Sequence, residues 1–291
     1  MSSAIINGKE IGQEIRKSVE KRVIALKEQG VTPGLAVILV GDNPASKTYV
    51  ANKQASCEAI GIYSALIKLP ETVTESSLLE QIRELNDRAD IHGILVQLPL
   101  PKHINEDAVI ATISPEKDVD GFSPISVGKM MLGQDTYLPC TPFGVMKLLE
   151  HTGIDVTGKH AVIVGRSHIV GKPMGQLLLQ KDATVTYTHS KTKDLASFTK
   201  QADIVIAAVG KPKFLTAAHV KEGAVVIDVG INRDENNKLV GDVDFQTVSE
   251  IASHITPVPG GVGPMTITML LENTVQAAEK SLINEKEQIQ L

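Results

Sequence analysis

Two residues early in the chain have types and spacing suited to proton transfer. Tyr49 and Lys53, in the segment YVANK, stand at i and i+4, so on a helix both side chains leave one face a turn apart. An amine placed there becomes a candidate acid or base when a bound ligand strips its water, because desolvation favours the uncharged form. Tyr-x-x-x-Lys is a common spelling and by itself reads equally well as a surface amphipathic pair. Its placement adds weight, since GDNPASKTY follows a strand end, the edge at which ligands of α/β sheets bind. Gln97 is a single polar group inside ILVQLPLP, and burying it without a partner would cost ~1–3 kcal/mol. Lys53 is the partner this predicts. Asp118 and Asp120 in EKDVDGF could face a ligand across the tight turn that Gly121 allows, although each also reads as a turn residue or helix cap.

A second constellation lies in the later half. KHAVIVGRSHIVGKPMGQLL is a buried strand, a turn containing Gly165, Arg166 and Ser167, and then a helix beginning near Pro173. Such a turn aims backbone N–H groups and a helix N-terminus at phosphate. The spelling departs from G-x-G-x-x-G, because Ser167 stands where the second glycine lets the backbone approach a pyrophosphate, so an ordinary tight turn stays open. The next strand ends in Thr188, His189, Ser190, Lys191, Thr192 and Lys193, without the carboxylate that holds the ribose of NAD. Together with Arg166 this set suits a 2′-phosphate and favours NADP over NAD. Lys191 and Lys193 read as solvated surface charge. Further on, DVGIN places Ile231 at another strand end, where it could pack on nicotinamide or ribose or be a plain loop residue.

These residues need elements to hold them. Apolar spacing predicts a helix over 8–29, then strand 35–40, helix 44–60, strand 63–69, helix 75–89, strand 93–98 and helix 105–113. Strands alternating with helices of this length imply right-handed crossovers and a parallel sheet. Between 114 and 141 the pattern weakens into loop-like segments around a short apolar stretch, and the inter-domain joint is placed there. A helix over 142–152 leads to strands at 160–164, 184–188, 203–209 and 224–229, with a helix at 173–180. Their β-branched runs, AVIV, ATVTY, DIVIAAV and AVVIDV, look buried on both faces. After TPVPGGVGP, residues 265–282 return to a helical pattern expected to pack back on the first domain, and INEKEQIQL is expected to fray.

At 291 residues the chain exceeds the size at which one core keeps growing, which argues for two domains. With 42% hydrophobic and 22% charged residues, no disordered or fibrous class fits, and without Trp the core must be aliphatic. A formal charge of −5 argues against nucleic acid or an anionic membrane as partner. Cys57 and Cys140 lie far apart with no metal-ligand spacing, so neither a disulfide framework nor a metal site is expected. Lacking a signal-like N-terminus or a run of ~18 apolar residues, the chain reads as cytoplasmic.

YVANK, VQLPLP, EKDVDGF, PCTP, GRSHIVGKP, DVGIN and TPVPGGVGPMT, in that order, resemble the bifunctional methylenetetrahydrofolate dehydrogenase/methenyltetrahydrofolate cyclohydrolase family over almost the whole chain. The resemblance implies an N-terminal three-layer α/β catalytic domain and a Rossmann-like doubly wound cofactor domain, joined by long helices with a cleft between. Residues 1–120 plus 268–291 would bind folate, 141–267 would bind NADP, and 121–140 would connect them. The implied reactions are NADP-dependent oxidation of 5,10-methylenetetrahydrofolate and hydrolysis of the methenyl product to 10-formyltetrahydrofolate. By the same resemblance Lys53 acts in acid–base chemistry, Tyr49 lies against the folate, Gln97 holds and tunes Lys53, and Asp120 accepts hydrogen bonds from the pterin. Val96, Leu98, Pro259, Gly260 and Gly261 would complete the folate pocket. Gly165, Arg166, Ser167, Ser190 and Ile231 would hold NADP, with Arg166 and Ser190 at its 2′-phosphate, and the family is typically a homodimer joined through its cofactor domains. A short-chain dehydrogenase would carry Tyr-x-x-x-Lys after its dinucleotide turn, not before it. A shikimate-type dehydrogenase would not explain PGGVGP or VQLPLP, and a non-catalytic NADP-binding regulator would have no need of Lys53 with Gln97.

Overall fold

The computed structural model describes residues 3–289. In chain order the elements are β1 (Ala4–Ile5), α1 (Gly8–Glu28), β2 (Gly34–Val40), α2 (Pro44–Ala59), β3 (Tyr63–Leu69), α3 (Glu75–Asp87), β4 (Gly93–Val96), α4 (Glu106–Thr112), α5 (Pro124–Met131) and α6 (Cys140–His151). They continue as β5 (His160–Val164), α7 (Gly171–Leu179), β6 (Thr184–Thr188), α8 (Leu195–Thr199), β7 (Ile204–Ala207), β8 (Val225–Asp228), β9 (Asn232–Arg233), β10 (Leu239–Val240), α9 (Phe245–Val248), β11 (His254–Ile255) and α10 (Val262–Ile289). The chain divides into two compact units, one of Glu14–Leu138 with Leu270–Leu291, the other of Met1–Gln13 with Pro139–Met269. Among the described residues no helix is long and apolar enough to cross a membrane.

In the first of these units three parallel strands stand in the order β3-β2-β4. β2, GLAVILV, is buried at every position, as a central strand covered on both faces must be. Ala36, Ile38 and Val40 of β2 pack with Leu78, Ile82 and Leu85 of α3 and with Val109 and Ile113. Ala65 of β3 joins that cluster, whereas Ser64, on the opposite face, meets Cys57 of α2. Helices therefore cover both faces, the layered arrangement the alternation of elements implied. β4 stops at Val96, two residues short of the run read from sequence, and Leu98–Pro99 is a cis peptide. The weakly patterned stretch after 114 holds α5, begun by Ser123 as N-cap with Pro124 at its first position.

Asn273 of α10 ties this unit together, its Nδ2 donating to Val119 O at 2.8 Å and Leu138 O at 3.0 Å. Arg22 of α1 reaches Glu279 through two bonds of 2.8 and 2.7 Å and also pairs with Glu272. α10 runs to Ile289, through most of the polar segment expected to fray; the last two residues of that segment lie outside the described residues.

The other unit is built on a parallel sheet of order β1-β11-β8-β7-β5-β6. After β5 the chain steps to β6 on one side and later to β7 on the other, so loops diverge at the carboxyl ends of β5 and β7. Val162, Val164, Val205, Ala207 and Val226 form the middle of its core. ATVTY is corrected here: β6 lies at the sheet's edge, with Thr184 exposed and Tyr187 43% exposed, because nothing in the unit pairs beyond it. β1 and β11, each of two residues, carry no local pattern and were not foreseen. Their pairing, Ala4 with His254 and Ile5 with Ile255, brings the start of the chain into this sheet.

Asn273→Ala should lower stability by about 1–3 kcal/mol, because two carbonyls, one of them fully buried, would lose a donor. Urea unfolding followed by far-UV circular dichroism measures this, and an unchanged midpoint would show that the two bonds contribute nothing net.

Candidate active site

Lys53 is 8% exposed on the inner face of α2, although lysine is seldom buried without a partner. Its Nζ donates to Gln97 Oε1 at 3.0 Å, the pairing the sequence predicts. Gln97 follows β4 directly: its N donates to Ile38 O at 2.9 Å, continuing the ladder, and its Nε2 donates to Leu98 O at 2.7 Å. Both ends of the amide are thus committed, oxygen to the amine and nitrogen to a carbonyl, which fixes its orientation. Tyr49 is half-buried one turn before Lys53, and burial raises its phenol pKa, keeping the hydroxyl protonated as a donor.

Asp118 and Asp120 separate in role. Asp118 is 2% exposed and accepts from Phe122 N at 3.1 Å and Ser123 N at 2.8 Å, so it organises the turn into α5, the capping alternative. Burial pushes its carboxyl above the usual range against the pull of these donors. Asp120 is partly exposed, and both aspartates line a small cavity with Ile94, Val96, Leu98 and Phe122. Val96, Leu98 and Asp120 therefore share one wall, and Gln97, between the first two, carries the link to Lys53.

In the other unit the predicted residues gather beyond the carboxyl ends of parallel strands. Val164 pairs with Thr188, so Arg166 and Ser190, two residues past each strand end, leave the sheet side by side; both are exposed. Gly165 takes φ +137°, and a Cβ there would overlap Ala208 O. Ser167 does more than replace a glycine. Its Oγ accepts from Val170 N at 3.1 Å and Gly171 N at 3.2 Å, and its carbonyl accepts from Lys172 N at 3.0 Å. The first amides of α7 are thus already engaged within the turn. The carboxylate nearest the end of β6, Asp194, accepts from Ser197 N at the start of α8.

Ile231 follows β8, is 46% exposed and lies against Gly263. Pro259, after a cis peptide, begins the Gly260-Gly261 segment, and Lys9 N donates to Gly260 O at 3.1 Å. Sequence reasoning missed two buried acids of this unit, Asp228 and Asp242. Their only signal was an aspartate next to or near glycine, in DVGIN and GDVD, which reads as loop.

A buried lysine held by an amide at one strand edge, and a doubly wound parallel sheet with phosphate-type donors at another, define an enzyme of the dinucleotide-dependent dehydrogenase class with a separate substrate unit. Residues 6–120 match the catalytic domain, and residues 139–282 the NAD(P)-binding domain, of tetrahydrofolate dehydrogenase/cyclohydrolase. The chain is 80% identical over 284 residues to the bifunctional protein FolD of Lysinibacillus sphaericus (strain C3-41), covering 98% of this chain and 100% of that one. The crystal structure of the bifunctional FolD methylenetetrahydrofolate dehydrogenase/cyclohydrolase from Campylobacter jejuni superposes with a TM-score of 0.95 at 53% identity, covering 96% and 100% of the two chains. The Trypanosoma brucei enzyme, complexed with NADP cofactor and inhibitor, gives 0.93 at 38% identity, covering 97% and 99%. The chain belongs to the tetrahydrofolate dehydrogenase/cyclohydrolase family.

Gln97→Leu removes the acceptor of Lys53 and the donor to Leu98 O together, and should cost about 1–3 kcal/mol of stability. Thermal unfolding compares it with the parent protein, and a variant as stable as the parent would mean that the amide is dispensable to the fold.

Proposed function

We propose that the chain oxidises 5,10-methylenetetrahydrofolate with NADP and hydrolyses the 5,10-methenyl product to 10-formyltetrahydrofolate, with Lys53 as the acid–base group of the hydrolysis. The observation that carries this reading is the buried Lys53 amine 3.0 Å from Gln97 Oε1, at the carboxyl edge of the substrate unit. Val96 and Leu98, which flank Gln97 in the chain, and Asp120, which lines a small cavity with them, supply apolar surface and a carboxylate suited to a flat heterocycle with N–H donors. Tyr49, a turn away, presents a protonated ring hydroxyl for stacking and hydrogen bonding.

The cofactor unit fits NADP. Arg166 and Ser190 each follow by two residues the paired ends of β5 and β6, and residues 188–193, from the end of β6 on, offer hydroxyl and basic groups with no carboxylate among them, which suits a 2′-phosphate. When bound, NADP supplies the hydride acceptor. Ile231, Gly260 and Gly261 lie at strand ends of the same edge and would border the cofactor's reactive end.

The two steps ask different things of the residues. Removal of hydride from a carbon between two nitrogens leaves a delocalised cation, so the chain's task is to orient the folate and exclude water. Hydrolysis then needs a base. Water oxygen bonds to the methenyl carbon, the iminium electron pair moves to nitrogen, and one water proton passes to the Lys53 amine. The carbinol then collapses as its bond to N5 breaks and N5 is protonated, leaving the formyl group on N10 with one proton released overall. Lys53 must be uncharged when water adds, and Gln97, a neutral acceptor, orients it while stabilising the ammonium less than a carboxylate would.

The protein works as a homodimer joined through cofactor units, for which the unpaired edge strand β6, with exposed Thr184 and Tyr187, supplies a surface. It acts in the cytoplasm, without nucleic-acid or membrane partners.

Lys53→Met should abolish methenyl hydrolysis, by at least about a hundredfold as expected for loss of an acid–base group, and reduce the oxidation as well. Absorbance of the methenyl product, formed from methylenetetrahydrofolate with NADP or NAD, separates the two steps. Undiminished hydrolysis would remove Lys53 from the mechanism, and equal rates with both dinucleotides would remove the 2′-phosphate site. Gln97→Glu would set a carboxylate against the amine and favour its charged form. The rise of hydrolysis with pH should therefore move to more alkaline pH, and a pH profile unchanged from the parent would deny Gln97 its tuning role.

A further inference from the structure

Two carboxylates that take no part in these steps are buried at the carboxyl edge of the cofactor unit, Asp242 at 0% and Asp228 at 3% exposure. Burial of a carboxylate is costly unless its lone pairs are met, and here donors surround both. Asp228 accepts from Gly230 N at 3.0 Å, Asp242 N at 2.9 Å and Val243 N at 2.9 Å. Asp242 accepts from Val209 N at 2.6 Å, Gly210 N at 3.0 Å, Lys211 N at 2.8 Å and Asn232 Nδ2 at 2.9 Å. Val209, Gly210, Lys211 and Gly230 lie in the loops that leave β7 and β8, adjacent strands in which Ala207 pairs with Asp228, while Asn232 begins β9 and Asp242 and Val243 follow β10. The fit is close: a Cβ on Gly230 would overlap the Asp242 carboxyl, and one on Gly241 would overlap that of Asp228.

The arrangement keeps an electrostatic cost. Burial pushes the Asp228 carboxyl up to about 7 against the pull of its backbone donors, and the charge of Asp242 adds to the rise. What is gained is the shape of the loops. Ile231, between two residues that the carboxylates hold, stands out at the sheet's edge, 46% exposed. In the order β8-β7-β5-β6 the donors Arg166 and Ser190 lie past β5 and β6. A dinucleotide anchored there by its 2′-phosphate and laid along the edge brings its other end over β7 and β8.

We propose that Asp242, supported by Asp228, is a positioning residue for the nicotinamide end of the cofactor, fixing residues 209–211 and 230–232 as the platform on which that end rests. Neither carboxylate touches the ligand; both act through the loops. The inference depends on the NADP reading above. Bifunctionality supplies an internal control, because hydrolysis of methenyltetrahydrofolate consumes no dinucleotide.

In the full-length protein Asp242→Asn keeps the size of the side chain but turns an NH2 group toward backbone N–H donors. NADP affinity, from a fluorescence titration with NADPH and from KM for NADP, should weaken by at least about tenfold, while methenyl hydrolysis stays within about twofold of the parent. Asp228→Asn, outside the platform, turns an NH2 group toward some of the backbone donors Gly230 N, Asp242 N and Val243 N and should weaken NADP by about threefold in the same pattern. It decides the matter if Asp242→Asn fails to fold. Parallel loss of oxidation and hydrolysis in soluble protein would show a purely structural role and overturn the proposal, as would unchanged NADP affinity in Asp242→Asn. A parent protein that neither binds NADPH nor oxidises methylenetetrahydrofolate would instead overturn the functional reading, whatever the variants do.

Discussion

An amine can be withdrawn from water only where an acceptor waits for it, and in this chain the neutral amide oxygen of Gln97 is an acceptor for Lys53. The partners are 44 residues apart, so the bond forms only when α2 lies against the sheet and β4 ends in register beside β2. β2 must be central and buried at every position for both conditions to hold. The site thus depends on the least polar strand of its unit. An amide orients the amine through its oxygen while stabilising a positive charge upon it less than a carboxylate would. Its second function, donation to Leu98 O, fixes which end faces the lysine.

The cofactor unit meets the mirror-image problem. Parallel strands end in backbone N–H groups that need acceptors, and side chains supply them: Ser167 at the start of α7, Asp194 at α8, and Asp228 and Asp242 across the ends of β7 and β8. Loops satisfied in this way hold their shape before a ligand arrives, so binding spends less on ordering them. The turn after β5 illustrates the consequence. Because Ser167 occupies the first amides of α7, the bare helix end suggested by the glycine spelling is already met from within the turn.

Elements with strong local periodicity were legible in the sequence, and those made by distant pairing were not. β5 and β6 fall at the residues read from their β-branched runs. Yet the burial of β6 was misjudged, since a run such as ATVTY says that a strand exists and not which neighbours it will have. β1 and β11, two residues each, exist only through one another and β8. α5 had a readable start in Ser123-Pro124, lost among the surrounding loop signals. Within the site, Gln97 was legible because a polar residue inside an apolar run must find a partner. Asp118 and Asp120 were indistinguishable in sequence; both line one cavity, and what separates them is that Asp118 accepts from Phe122 N and Ser123 N. Asp228 and Asp242 were hidden for the same reason: a buried acid that binds backbone is written like any turn aspartate.

One chain can serve both proposed reactions because they make compatible demands on the same amine. Oxidation creates a cation beside it, and a charged ammonium would raise that barrier by repulsion, more strongly in a dehydrated site than in water. Hydrolysis consumes the cation and needs an amine with its lone pair free. The uncharged form would satisfy both. On the proposed mechanism an acidic partner for Lys53 would hold the amine as firmly but slow both steps, so glutamine at position 97 suits that chemistry as well as the packing.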